Sequence, residues 1–454
     1  MSENRGNLLV HYIATARTRT LPPEVHEAAL RALVDFLGVS LGAVHDPCVV
    51  AVQKVVQSWA APGRARIFLG PLTEPALAVL VNSTMTHAMD FDDAHPMGAG
   101  HPSGPCWSTT LALAQQHGAS EATAISAFLA GFEVMARLGG GGYAGVGRNL
   151  QRRGFHPTAM FGRMGAAAAA SVMLDLTPDQ IASALGVAAT TAGGLLGSFG
   201  THAKPFHSGK AAMDGIMAAE LAANGFLAAH NLYEVEGKGA LLPSFIQDHQ
   251  VDVPPLDFAT SWEILGNAYK PYASCRGTHP AVQAARALAD KLGTRPVAKV
   301  HVRVHPGGLV TAGRMDPQTL LEGKFSIAFC VALALAGHQV QADDFRGNAL
   351  KDPRVQAIRR STTVEAVEGQ PNTEAHVVVT LAGGEELRSD VAVMLGHPLN
   401  PMSWEQIHAK FTGLVAPVLG AAPAARLYEV ARHFDQPGAL AELNALIAPT
   451  SKAD

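Results

Sequence analysis

Cysteine is scarce and scattered: four in 454 residues, at positions 48, 106, 275 and 330, with no CxxC pair. That spacing lacks the closely set ligands of a zinc site or iron–sulfur cluster. It implies reduced thiols in a reducing compartment. Charge is thin as well. Charged residues make up 16%, Lys+Arg number 34 against 38 Asp+Glu, and no basic block appears. A net charge of −4 gives no electrostatic footprint for nucleic acid. The N-terminus lacks the uninterrupted apolar core of a signal peptide, and no stretch approaches the roughly 18 apolar residues of a membrane span. The expectation is a soluble, cytoplasmic protein with neither nucleic-acid nor membrane partners. A nucleophile elbow is missing too: GxSxG is absent, and Gly194–Phe199 is GLLGSF. The glycine run Gly139–Gly142 follows no strand pattern, so a dinucleotide fingerprint is unsupported; a flexible loop is expected there.

What the chain does have is apolar bulk. Hydrophobic residues reach 48% and the mean hydropathy is +0.13, which predicts a homodimer or larger assembly. The length predicts two or three domains. Apolar residues recur at helical spacing over 23–44, 75–89, 106–116, 121–138, 160–174, 179–192 and 210–224. Thr177 with Gln180 has the form of a capping box. Near Asn267 the pattern changes. Residues 299–305 (KVHVRVH) alternate with period two, and 374–381 with 385–393 form a hairpin pattern around Gly383-Gly384. Helical patterns cover 280–292 and 324–336. The expected fold class is mainly α, with a large all-helical domain from 1–267 and 396–454 and a smaller α+β lid domain from 268–395. The tail after residue 396 is expected to pack back onto the large domain.

Three polar clusters interrupt this weakly charged chain: HAMDFDDAH at His87–His95 running into His101-Pro102-Ser103, GFHPT at Gly154–Thr158, and GTHAKPFHSGK at Gly200–Lys210. Carboxylates, imidazoles and amines are costly to bury without a purpose. In the first cluster, helical spacing would turn Asp90 and Asp93 to one face and Asp92 elsewhere. A base, an orienter of a histidine, or a capped solvated helix end all fit. Metal binding by these aspartates with His87, His95 or His101 lacks any fixed ligand spacing, so no metal is expected. His101 sits on a proline-restricted turn, as an acid/base or a surface loop histidine. His156 precedes an alanine-rich helix whose N-terminus suits a substrate carboxylate, while Arg152 and Arg153 suit surface or subunit contacts. Lys204, fixed by Pro205, is the leading functional amine, and desolvation would lower its pKa. Lys270-Pro271 repeats that pattern at the domain boundary. Tyr143, in the glycine-rich loop, is a possible substrate-facing phenol.

Taken in order, HAMDFDDAH…HPS, GFHPT, SFGTHAKPFHSGKAA, KPYASCRGTH, KFSIAFCVALAL and GHPLNP resemble the MmgE/PrpD family over about residues 10–430. That family includes 2-methylcitrate dehydratase, cis-aconitate decarboxylase and iminodisuccinate epimerase. The resemblance implies a homodimer without metal or organic cofactor and a cleft holding Asp90, His101, His156, Lys204 and Lys270. Cys275 falls where some members carry histidine, and Phe329 where decarboxylase members carry tyrosine. Ala94 replaces a common threonine. Losing those two hydroxyls would remove two donors from the pocket. The implied chemistry is proton movement next to a carboxylate of a small polycarboxylic acid. Lys204 and His101 would form the acid/base pair, Asp90 would orient His101, and His156 with Lys270 would bind carboxylates. A dehydratase-type lyase is the leading expectation. An epimerase or isomerase, a decarboxylase and a catalytically silent polycarboxylate binder are the alternatives.

Overall fold

Alanine and glycine decide how the helices of the large body pack. The computed structural model describes residues 4–246 and 250–449. At its centre lies the helix Pro157–Met173, buried along its whole length. It packs against Glu121–Leu138 on one side and Ala203–Ala223 on the other. A Cβ at Gly131 would stand 2.6 Å from the Gly165 carbonyl oxygen, and one at Gly215 would stand 2.3 Å from the Ala166 Cβ. A glycine costs a helix interior about 1 kcal/mol relative to alanine. Here it is required, because the backbones approach closer than any side chain permits. Pro75–Ala88 and Ser103–His117 complete the inner layer. Trp107 stacks on Phe128 with ring centroids 4.1 Å apart.

Helix starts follow local chemistry. Thr177 caps Pro178–Thr190, its side chain accepting from the Gln180 N–H while Gln180 Oε1 accepts from the Thr177 N–H at 2.9 Å. The expected helix over 324–336 is shorter than its pattern: it runs Ile327–Leu335, because Ser326 takes the N-cap and accepts from the Phe329 N–H at 3.1 Å. The glycine run Gly139–Gly142 is also not the loose loop expected. Gly139 and Gly142 are buried, the Gly142 N–H donates to the Met97 carbonyl, and a Cβ at Gly139 would lie 2.4 Å from the Gly98 oxygen.

The lid carries a four-stranded sheet of order β4-β3-β5-β6, with β3 Val297–Val304, β4 Thr362–Ala366, β5 Ala375–Leu381 and β6 Glu386–Val391; β1 (Ala65–Arg66) and β2 (Leu72–Thr73) form a separate small hairpin. β3 pairs antiparallel with β5 and parallel with β4, and β5–β6 is the hairpin, with Thr380 opposite Glu386. Val300, Val302 and Val304 of β3 and Ala375, Val377 and Val379 of β5 are buried. The helix His279–Leu292 covers β5 and β6.

The C-terminal helix Trp404–Leu419 packs on Pro23–Gly42 of the body. Its Lys410 ammonium donates to Asp35 at 2.6 Å and to the Phe91 carbonyl at 2.7 Å, all in the interior. A second buried brace is Glu133, which accepts from the Glu263 and Ile264 N–H groups and from Arg137. Burial pushes its carboxyl up to about 7, against the pull of Arg137. This brace fixes the strand of chain that leads into Lys270.

Candidate active site

The helix Pro75–Ala88 ends two residues before Asp90, which takes a left-handed φ of 52°. Aspartate tolerates that region better than most residues. The turn breaks the helical register, so Asp90 and Asp93 do not share a face as the spacing predicts. All three aspartates are buried, and each has a different partner.

Asp90 receives Lys204 at 2.5 Å and Lys270 at 3.1 Å on the same oxygen. Lys270 also donates to the Asp90 carbonyl at 3.0 Å. Burial alone would raise the Asp90 carboxyl, but Lys204 and Lys270 outweigh it and hold it well below the usual range. Burial pulls Lys270 down, and Asp90 followed by Asp92 more than reverses this. Lys204 lies in the first turn of Ala203–Ala223, its amine between the rings of Phe199 and Phe325 at 5.1 and 5.3 Å. A third buried lysine, Lys324, donates to the Met89 carbonyl at 2.5 Å, and burial brings it down to about 8.

Asp90 does not orient His101. The His101 Nδ1 donates to the Asp93 carbonyl at 2.5 Å, and the nearest carboxylate is that of Asp92 at 3.5 Å. A carbonyl only accepts, so Nδ1 carries the proton and Nε2 is left as an acceptor. Burial pushes the ring well below its usual range against the opposing pull of Asp92; at neutral pH His101 is an uncharged base. Asp93 accepts from Ser103 Oγ at 2.7 Å and Asn267 Nδ2 at 2.8 Å. Burial, reinforced by Asp92, lifts its carboxyl to about 7. Asp92 pairs with His87 Nδ1 at 2.7 Å.

His156 caps Pro157–Met173 and shares a proton with His207, Nδ1 to Nδ1 at 3.1 Å. Burial keeps it well below its usual range, and Lys204 adds to the shift. Ring nitrogens of His87, His101 and His156 lie within 4.8 Å of one another. That is the one spot among the described residues where three imidazoles could hold a metal. Burial lowers all three rings; Asp92 opposes this at His87 and His101, while Lys204 adds to it at all three and works against a dication there.

Asp90, His101, His156, Lys204, Lys270 and Cys275 all line one pocket between body and lid. Tyr143 lines its rim, half exposed, with its ring edge-on to His305 at 4.5 Å. Ala94 also faces the pocket, while its backbone pairs with Ala268. Phe329 does not: its ring is fully buried over Gly323, away from the lining. The expected loss of a pocket donor therefore applies to position 94 and not to position 329. Burial raises the Cys275 thiol, and Asp90 raises it further.

Sequence reasoning missed Asp92 and His87 as a buried pair, and it missed Arg148 and Arg276, which line the same pocket. The acidic cluster contained the first signal. The arginines are isolated in sequence, and only the fold brings them together.

The chain matches the MmgE/PrpD N-terminal domain over residues 7–252 and the MmgE/PrpD C-terminal domain over 272–436. A cis-aconitate decarboxylase-like protein of Aspergillus oryzae is 26% identical over 98% of each chain. The cis-aconitate decarboxylase of Aspergillus terreus is 26% identical over 90% of this chain and 89% of its own. The mouse cis-aconitate decarboxylase is 27% identical over 74% and 71%. With mainly helical architecture, a small α+β unit and both domain matches in order, the chain belongs to the MmgE/PrpD family.

Proposed function

We propose that this chain is a lyase that acts on a small polycarboxylic acid by proton transfer at a carbon next to a carboxylate, with elimination of water as its reaction. The observation that carries this reading is the charge of the pocket around a neutral base. Arg148, Arg152, Arg276, Lys204 and Lys270 line it against only Asp90 and Glu374, five cationic groups against two acidic ones. Glu374 is itself paired with His376 at 2.7 Å. Such a pocket selects multiply charged anions.

In this mechanism the His101 Nε2 removes the α-proton, and the electron pair of that C–H bond becomes the new carbon–carbon double bond. The β-hydroxyl leaves with a proton from the Lys204 ammonium as water. Lys270 and His156 steady the charge gathering on the neighbouring carboxylate. Asp90 holds both ammonium groups in place. Loss of carbon dioxide is the second reading, and the names of the relatives favour it. It needs the same cationic groups and a proton donor but no base for a C–H bond. A cytoplasmic homodimer completes the proposal: the thiols are unpaired, and Leu195, Leu227 and Leu399 are exposed.

The test is proton NMR of the enzyme with citrate, 2-methylcitrate, cis-aconitate and iminodisuccinate in deuterated water. Growth of a vinyl resonance from a hydroxy acid supports dehydration. Carbon dioxide release from cis-aconitate would replace it with decarboxylation, and α-deuterium exchange without alkene would replace it with epimerisation. No turnover of any of them would leave a silent binding protein.

A further inference from the structure

Arg276 opens the turn Arg276–Thr278 that leads into the lid helix His279–Leu292, and Arg148 lies on the body helix Val146–Arg152. Both line the pocket, one from each side of it. Arg148 Nη1 donates to Gln151 Oε1 at 2.7 Å. Arg276 Nη2 is buried without any hydrogen-bond partner. Among the described residues no carboxylate pairs with either guanidinium; the charged group that Arg276 feels is Arg148 itself. Burial and then Arg148 bring Arg276 down to about 9, and it stays protonated at neutral pH. Two half-buried like charges, one of them with a buried and unpaired donor, are unfavourable in a free protein. A planar carboxylate between two guanidinium forks removes both costs.

Cys275 lines the same pocket and precedes Arg276 in the chain; burial raises its thiol, and Asp90 raises it further. The pocket carries two sets of cations: Lys204 and Lys270, both paired with Asp90, and Arg148 and Arg276, which have no carboxylate partner among the described residues. We propose that Arg148 and Arg276 form the subsite for a second, remote carboxylate of the substrate, which makes the substrate at least a dicarboxylate and ties lid to body when it binds. This assignment rests on the polycarboxylate reading above and adds to it which residues select for the far carboxylate.

Calorimetric titration with tricarballylate, its monocarboxylate counterpart butyrate, and inorganic sulfate tests it. Arg276→Met and Arg148→Met should each weaken tricarballylate by about 10- to 100-fold and leave butyrate within about twofold. Arg276→Lys should fall between, since it keeps the charge and loses the fork. Tricarballylate affinity equal to wild type in both methionine variants, with unchanged melting, would overturn the subsite; should either fail to fold, Arg276→Lys with wild-type affinity does the same. If the wild type binds no polycarboxylate, the proposed function fails, and sulfate then decides on the arginines alone. Sulfate bound by wild type and lost in Arg276→Lys sustains an anion site there. Sulfate that does not bind ends it.

Discussion

At the lysine end of the pocket, Asp90 holds both Lys204 and Lys270, the Asp93 carbonyl fixes His101, and His207 holds His156. At the arginine end, among the described residues, Arg148 pairs with the Gln151 amide and one nitrogen of Arg276 has no partner. The first end is knit together by charge pairs in the free protein, although Asp90 Oδ2, Asp92 Oδ1 and His87 Nε2 are also buried without a partner; such pairing helps groups that move protons keep their geometry. The second has no carboxylate partner among the described residues, as a group that recognises an anion lacks one until the anion arrives. On the proposed function the contrast separates two jobs within one cavity: one end for reaction, the other for selection.

The largest effect that tests this contrast is on turnover. Lys204→Met and His101→Ala should each lower kcat by about 10²- to 10⁴-fold with a smaller change in KM, measured under steady state with the substrate found by NMR. A change in KM alone would move those residues from the reacting end to the binding end. Stability should then divide the two ends in opposite directions. Asp90→Asn strands two buried ammonium groups and should cost about 3–5 kcal/mol, seen as a lower melting temperature. Arg276→Met removes a donor without an acceptor and should leave melting unchanged or raise it. Equal losses from both substitutions would mean that the arginine end is as well satisfied as the lysine end.

A smaller effect lies in the pH dependence of stability. The Asp93 carboxyl is raised from 3.8 to about 7 by burial, so the folded state keeps a proton that the unfolded chain releases. Its contribution to stability is fully present below pH 3.8 and is lost as pH rises to about 7, at most about 1.4 kcal/mol per pH unit. Asp93→Asn mimics the protonated acid, so its melting temperature relative to wild type should climb between pH 4 and 7 and then level. A constant offset across that window would show that Asp93 titrates normally. The smallest expected effect is that of metal removal. Dialysis against EDTA should leave kcat unchanged, because Lys204 opposes a dication among His87, His101 and His156. A loss restored by added zinc would make those imidazoles ligands instead of proton carriers.

Much of this was legible in the chain. The ordered motifs around Asp90, His101, His156, Lys204 and Lys270 name groups that do converge, and the alternation in 299–305 and 374–381 marks real strands. The failures have physical causes. The left-handed residue at Asp90 destroys the periodicity from which facing carboxylates were inferred, so His101 belongs to Asp92 and Asp93. β4 (Thr362–Ala366) is an edge strand with a single buried residue, Thr362; without an apolar alternation it leaves no strand signal. Phe329 stands in an apolar run, and nothing local tells a pocket-facing ring from a buried one. Arg148 and Arg276 carry no signal until the lid meets the body.

The Lys410 contact has a consequence for how the protein is made. The carbonyl it holds belongs to Phe91, the residue after Asp90, and its carboxylate partner Asp35 comes from the first long helix. During translation the acidic loop emerges early, and this one anchor forms only after Lys410 follows it, 319 residues behind Phe91. A chain halted just after the sheet would contain every residue of the pocket and lack this anchor of the acidic loop.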